Sequence, residues 1–444
     1  METVCHKQLT FESLFSKEII ADFEGGRITS DAGGLLLREL DHRYRLTEKA
    51  ARYLHDPRDS HKVKHNLLTL VRQRLFPIAQ GYEDNNDAAA LARDPAFKIM
   101  IGKAPESAPD LASQPTLSRF ENQVTTKDLR RFSDWFLDLD LKTHPGPRKV
   151  IVLDMDATDD PTYGQQQLSF FHGYYEEHMY HLLLVFDRRT GFPLAAVLRP
   201  GNTHSSHGAL AVLKRLIKKL KKAYPGALIL FRADVGFAIP ALYRYLERQD
   251  IRYVIGFISN KRVLAQAAPL LEKAQRQYQE TGEKQRLFNS FSYQAESWTR
   301  PRRIIAKVEY THLGINQRFV VTNLSRNPQF VYDDIYVLRG DVENRIKELK
   351  LELKADRLNC HRFLANQFRL LLHTSAYCLF WLLRHHLQGT ELAKAQVNTL
   401  RLKLLKIGAR IRETNRRIWV HLASGYPYRD LLALVLQNLR ASPG

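Results

Sequence analysis

Four side chains in the C-terminal third, Tyr336, Arg339, Glu343 and Lys350, set a carboxylate among two cations and a phenol at steps of three, four and seven residues. On a continuous helix of 3.6 residues per turn these positions point within an arc of roughly 60°, which makes one polar stripe. Beside it, Ile335, Val342, Ile346, Leu349 and Leu353 form an apolar stripe that would seat the helix on a core. A carboxylate flanked by cations can hold a metal ion and phosphates together. Gly340-Asp341 offers a second start, with Asp341 as cap, which would leave Tyr336 and Arg339 on the entering loop.

Two upstream runs supply further carboxylates. Lys149-Val-Ile-Val-Leu-Asp-Met-Asp156-Ala-Thr158 is apolar and β-branched, predicting a strand buried on both faces, with Asp154 and Asp156 on the same face. Ala227-Leu-Ile-Leu-Phe-Arg-Ala-Asp-Val-Gly-Phe237 predicts another strand, which delivers Asp234 before a turn glycine. A parallel sheet can bring strand-end acids together to share divalent cations. On spacing alone, either Asp154 or Asp156 could be the first strand's contribution.

The Asp-x-Thr at 156, the Asp-x-Gly-Phe at 234 and the Tyr-(2)-Arg-(3)-Glu-(6)-Lys pattern at 336–350 resemble the DDE transposases of bacterial insertion sequences. The whole chain is similar to their thirteen-eighty family, within the clan that carries this helix. Ile28-Thr-Ser-Asp-Ala-Gly-Gly34, Gly81-Tyr-Glu-Asp-Asn-Asn-Asp87, Ser113-Gln-Pro-Thr-Leu-Ser-Arg119 and Asn366-Gln-Phe-Arg369 extend the likeness nearly end to end.

The resemblance implies a ribonuclease-H-like catalytic core interrupted by a mainly β insertion. It ranks Asp156 ahead of Asp154 and gives Asp156, Asp234 and Glu343 as ligands of two Mg2+ ions, for which Mn2+ can substitute. Tyr336 and Arg339 would grip phosphates near the cut, with Lys350 further along. The expected activity is cutting of insertion-sequence ends and joining of the 3′-hydroxyl to target DNA. Implied partners are double-stranded DNA, as terminal inverted repeats and target, and a second copy of the chain in a synaptic complex. Alternatives are a transposase-derived DNA-binding protein that does not cut, and a metal-dependent nuclease.

Composition agrees. The 444 residues carry 67 Lys+Arg against 47 Asp+Glu, a net charge of +20, which favours a polyanionic partner. No apolar stretch is long and clean enough to span a bilayer, since His373, Thr374 and Ser375 interrupt the most hydrophobic one, 370–383. Met1 to Lys17 mixes charge and polarity, unlike a signal peptide. Cys5, Cys360 and Cys378 lack Cys-x-x-Cys spacing, which excludes a disulfide framework and a thiolate zinc site. The expected location is the bacterial cytoplasm, in association with the nucleoid.

The elements that must position these acids read as an α/β chain. Residues 1–145 are expected to be a helical, basic, DNA-binding region, closed by Pro145-Gly-Pro147. Residues 146–258 form the first part of the core. Their strands are expected near 149–156, 179–187, 192–199, 227–233 and 253–257, with helices from about Ser206, capped by Ser205 or Ser206, and over 239–249. Residues 259–330 make the β-rich insertion and 331–390 the second part of the core, with the Glu343 helix. Residues 391–444 are a helical and β region for DNA binding or dimerisation.

Further DNA contacts are expected from Lys214, Arg215, Lys218 and Lys219, the polar side of a helix whose apolar side is Leu213, Leu216, Ile217 and Leu220. Arg119 sits on a helix started by Ser113 and Pro115. Trp298 could stack an unpaired base or simply pack within the insertion.

Overall fold

The computed structural model describes residues 8–441. The chain forms two compact units, one of residues Asn122–Cys378 and one of Met1–Glu121 with Leu379–Gly444.

The first unit opens with α1 (Thr126–Thr143), started by a capping box in which Thr125 and Asp128 satisfy each other's backbone N–H groups. There follow β1 (Val150–Pro161), β2 (Phe170–His172), β3 (Glu177–Asp187), β4 (Pro193–Val197), α2 (Ala209–Ala223), β5 (Leu228–Ala233), α3 (Pro240–Arg248) and β6 (Arg252–Phe257). Next come α4 (Lys261–Thr281), β7 (Gln285–Tyr293), β8 (Arg302–Thr311) and β9 (Gly314–Thr322). These strands make one mixed sheet in the order β7-β8-β9-β6-β5-β1-β3-β2, with β4 on β3. β1 runs antiparallel to β3 and parallel to β5, and β5 is parallel to β6.

The near-continuous apolar runs of β1 and β3 are explained by their central place, where both faces are covered. The cap of α2 differs from expectation. Gly208, with φ +76°, precedes the helix, and the Ser206 hydroxyl pairs with His204 Nδ1 at 2.9 Å instead of capping. The loop before it is pinned by buried Arg199, whose Nη1 donates to the carbonyls of His204, Ser205 and His207.

Residues 328–352 are one helical run whose winding changes along its length. Wide, five-residue hydrogen bonding over Val331–Tyr336 gives way to tight winding over Val337–Gly340, then to α5 (Asp341–Lys347), then widens again over Glu348–Glu352. Gly340 and Asp341 both have right-handed helical backbones, so Asp341 is not a cap and instead pairs with Arg188 at 2.6 Å. The expected apolar stripe is present. Val342, Ile346, Leu349 and Leu353 are buried, and Ile335 packs on a cluster of Val152, Leu230, Val254, Ile305, Val320, Val331 and Tyr332. Each such fully buried aliphatic side chain contributes about 1.5–3 kcal/mol. In α6 (Phe363–His386), Phe368 and Tyr377 pack edge-on against Phe132 and Phe186.

The second unit gathers the helices Leu35–Tyr44, Leu46–Tyr53, Leu67–Gln80 and Pro95–Ile101 around buried Leu37, Phe76, Phe97 and Met100. Arg74 and Glu121 form a buried ion pair at 2.7 Å. Ile28–Thr29, Ala409–Glu413 and Ile418–Leu422 make a three-stranded sheet. An antiparallel hairpin, Gln8–Leu14 with Lys17–Asp22, stands where the sequence pointed to helices. Its turn uses Phe15 at φ +57°. No helix among the described residues is long and apolar enough to cross a membrane.

Candidate active site

Register brings the first two acids together. Along the parallel β1/β5 ladder Asp154 stands opposite Arg232 and Met155, at its end, opposite Ala233; Asp156 and Asp234 are the residues that follow, near enough that Asp234 acts on the Asp156 carboxyl. Neighbouring strands lie about 4.8 Å apart, which puts both carboxyls on one face at one end of the sheet. Asp234 is fixed by its own turn, its Oδ1 accepting from Gly236 N at 3.0 Å. Asp156 Oδ1 accepts from Ala157 N at 2.9 Å.

The third acid arrives with the helical run. Arg339 Nη1 donates to Asp156 Oδ2 at 3.2 Å and Nη2 to Glu343 Oε1 at 3.3 Å, so a single guanidinium spans the strand acid and the helix acid. Burial, with Asp234 and Glu343 nearby, pushes the Asp156 carboxyl up to about 7, although Arg339 opposes the shift. Asp234 is raised as well, chiefly by burial. Arg339 keeps its proton more firmly than usual: burial opposes this, but Asp156, Tyr336, Asp234 and Glu343 together outweigh it. The acids repel one another, and a cation resolves the repulsion.

Asp154 has a different task. Both its oxygens accept from Arg232, Oδ1 from Nε and Oδ2 from Nη2, each at 2.7 Å, and both side chains are buried. This pairing occupies the carboxylate that spacing alone left open as a ligand. Lys350 Nζ donates to Asp159 Oδ2 at 3.0 Å, to the Asp159 carbonyl at 2.7 Å and to Thr158. Burial disfavours the Asp159 charge, but Lys350 outweighs it and holds the carboxyl below its ordinary range.

Tyr336 is admitted by a missing side chain. A Cβ on Gly256 of β6 would lie 2.7 Å from the Tyr336 hydroxyl and 2.8 Å from Val235 N, in the turn that holds Asp234. The Tyr336 ring packs on Tyr332 at 5.5 Å and lines a cavity of about 310 Å³ with Arg318, Phe319 and Phe257.

Sequence reasoning missed Arg232, Gly256, Tyr175 and His204. Burial, with Asp159 and Asp156 nearby, pushes the Tyr175 phenol up to about 12, and His204 lies within electrostatic reach of Asp234. The residue before Asp234 but one, an arginine inside an apolar strand, was the one visible signal.

The remaining candidates lie elsewhere. The Trp298 ring is enclosed by Tyr243, Phe257 and Tyr293, with the Arg302 guanidinium 4.9 Å from its centroid, so packing replaces the base-stacking expectation. On α2, Arg215 faces Asp134 at 3.7 Å and Lys219 meets Asp138 at 3.0 Å, both acids of α1. Lys214 lies over the Tyr245 ring, and Lys218 has no acid partner among the described residues. Arg119 is exposed and contacts only its own helix, at Thr116, among the hydrogen bonds of the described residues.

Among the described residues no three His, Cys, Asp or Glu side chains stand ready-gathered as a metal cluster. The donor set nevertheless fits a hard divalent cation. Asp156, Asp234 and Glu343 offer only carboxylate oxygens, their charges are mutually destabilising, and Glu343 is over half exposed and one guanidinium away from Asp156.

The family described as Transposase DDE domain group 1 matches residues 11–443 of the chain. Among solved structures, a piggyBac transposase synaptic complex with hairpin DNA is similar at 12% identity and a TM-score of 0.45, over 85% of this chain and 81% of that one. No curated protein matches.

Proposed function

Because the chain belongs to the transposase DDE domain family of group 1, we propose that it cuts the ends of its own mobile element and joins the freed 3′-hydroxyls to target DNA. The observation that carries this reading is the meeting of Asp156 and Asp234 by strand register, with Glu343 tied to Asp156 through Arg339. Asp156, Asp234 and Glu343 are the residues that would hold magnesium. Two such ions, when bound, polarise the attacking and departing oxygens of an in-line displacement.

The chain's own groups bind and orient. Arg339 and Tyr336 grip backbone phosphates beside the acids, Arg339 in bidentate fashion, and Lys350 holds the strand further along. Water is the nucleophile in the first displacement, which breaks one phosphodiester bond and leaves a 5′-phosphate and a free 3′-hydroxyl; that hydroxyl is the nucleophile in the second, which forms one phosphodiester bond to the target as it breaks another. Arg119, Lys214 and Lys218 meet DNA further out.

The order of β4, β3, β1, β5 and β6, with one antiparallel and one parallel side, supports reading residues 146–258 and 331–390 as a ribonuclease-H-like core. Residues 259–330 are then its mainly β insertion, and residues 1–145 and 391–444 serve DNA binding and pairing of two protomers on the two ends. The protein acts on bacterial chromosomal DNA, on an insertion sequence of the thirteen-eighty type.

Incubation with Mg2+ and a linear fragment bearing the element's terminal repeats tests the reading. Joined products are expected. Cut products alone would indicate a nuclease, and a shifted but intact fragment a binding protein.

A further inference from the structure

We infer that Asp154 and Arg232 form a positioning clasp that carries the Glu343 helix onto the two strand aspartates. The inference rests on the functional reading of that site and deepens it. Arg232 lies on β5 two residues before Asp234, and Asp154 on β1 two residues before Asp156. The clasp is therefore one same-face step below the acids on both strands.

The guanidinium does more than neutralise Asp154. While Nε and Nη2 hold the carboxylate, Nη1 donates to the Ile335 carbonyl at 2.6 Å and Nη2 to the Leu338 carbonyl at 3.2 Å. Those two carbonyls lie where the helical run passes from wide to tight winding, one immediately before Tyr336 and the other immediately before Arg339. Carbonyls tilt away from the axis at such transitions and accept donors from outside the helix. Arg232 thus fixes both the height and the rotation of the run just before Arg339 and Glu343, and Asp154 holds the planar fork of Arg232 in the plane this needs. Lysine could keep the charge but could not serve a carboxylate and two carbonyls together.

The test separates positioning from ordinary support. Arg232→Lys and the milder Asp154→Asn are compared with wild type, and with Arg302→Lys as control. Arg302 is as buried as Arg232 and makes a bidentate pair with the partly buried Glu247, at 2.7 and 2.9 Å, away from the acids. Mn2+ half-saturation is followed by electron paramagnetic resonance, end-DNA affinity by anisotropy, and folding by thermal melting. Arg232→Lys and Asp154→Asn are expected to raise Mn2+ half-saturation at least about tenfold while end affinity stays within about threefold. Arg302→Lys is expected to lower the melting temperature and leave Mn2+ half-saturation unchanged.

Wild-type Mn2+ affinity in folded Arg232→Lys overturns the clasp. Loss of Mn2+ binding in Asp154→Asn with full retention in Arg232→Lys also overturns it, by making Asp154 a direct ligand. A wild type that neither binds Mn2+ nor cuts would instead sink the functional reading beneath it.

Discussion

Two basic helical stretches of the same unit have opposite fates. In α2 most of the cations meet local partners. Arg215 and Lys219 meet the acids of α1, Lys214 meets the Tyr245 ring, and Lys221 meets the Gln249 carbonyl at the end of α3. In residues 328–352 the cations instead reach acids delivered by β1, with Arg339 on Asp156 and Lys350 on Asp159. α2 is the denser in charge, yet it is the second stretch that meets the strand acids. Charge density marks a solvated or braced face as readily as a binding one, and what distinguishes the two is where strand register places the opposing carboxylates.

The largest expected effects lie in the second stretch and its strands. Asp156→Ala, Asp234→Ala and Glu343→Ala should each lower end cleavage roughly a thousandfold or more, with end binding within about threefold, read by gel-resolved cleavage and by anisotropy. Retained cleavage in any one of them removes that acid from the site.

Arg339→Ala should cost roughly a hundredfold in cleavage, whereas Arg215→Ala and Lys219→Ala should stay within about twofold and lower the melting temperature by a few degrees. If the α2 variants lost cleavage as Arg339→Ala does, the contrast between the two helices would disappear.

A third expectation uses pH. The folded pKa of Asp156, about 7, lies above its ordinary value of 3.8, so the folded state holds this proton more tightly. Its favourable contribution is complete below pH 3.8 and is lost as pH rises through 7, where the ionised carboxylate sits buried without metal. Asp156→Asn should therefore melt roughly 5 °C above wild type at pH 8 in chelator and close to it at pH 4. Equal differences at the two pH values would show that Asp156 is not strained by its neighbours.

The smallest effect belongs to Lys218, an exposed α2 cation with no acid partner among the described residues. Lys218→Ala should weaken end binding less than about threefold and reduce the salt slope by about one. An unchanged slope would assign all of α2 to bracing.

The elements that carry the candidate acids were legible because Asp156 and Asp234 end apolar, strand-like runs and Glu343 stands on a helical stripe, and local pattern records both. The task of Asp154 was not, since its partner Arg232 lies 78 residues away and is chosen by β1/β5 register, a long-range property that no local window contains. The bracing of α2 was hidden for the same reason, its acids lying in α1. Trp298 was legible only as an aromatic, because the rings enclosing it come from α3, β6 and β7. The cap of α2 misled because Ser205 and Ser206 had the right chemistry, while Arg199 and the left-handed Gly208 decided the path of the chain. The hairpin over residues 8–22 was overlooked beside the stronger helical periodicity that follows it.

The helix that completes the trio is also late in translation. Once β5 has been synthesised, the strand residues that set Asp156 beside Asp234 are already in the chain, yet Arg339 and Glu343 are still more than a hundred codons away. A nascent or prematurely terminated polypeptide thus carries the two strand acids and the Asp154–Arg232 pair, but neither the helix carbonyls that Arg232 also serves nor the third carboxylate. On the proposed function, the timing of synthesis itself would keep an unfinished copy from scission.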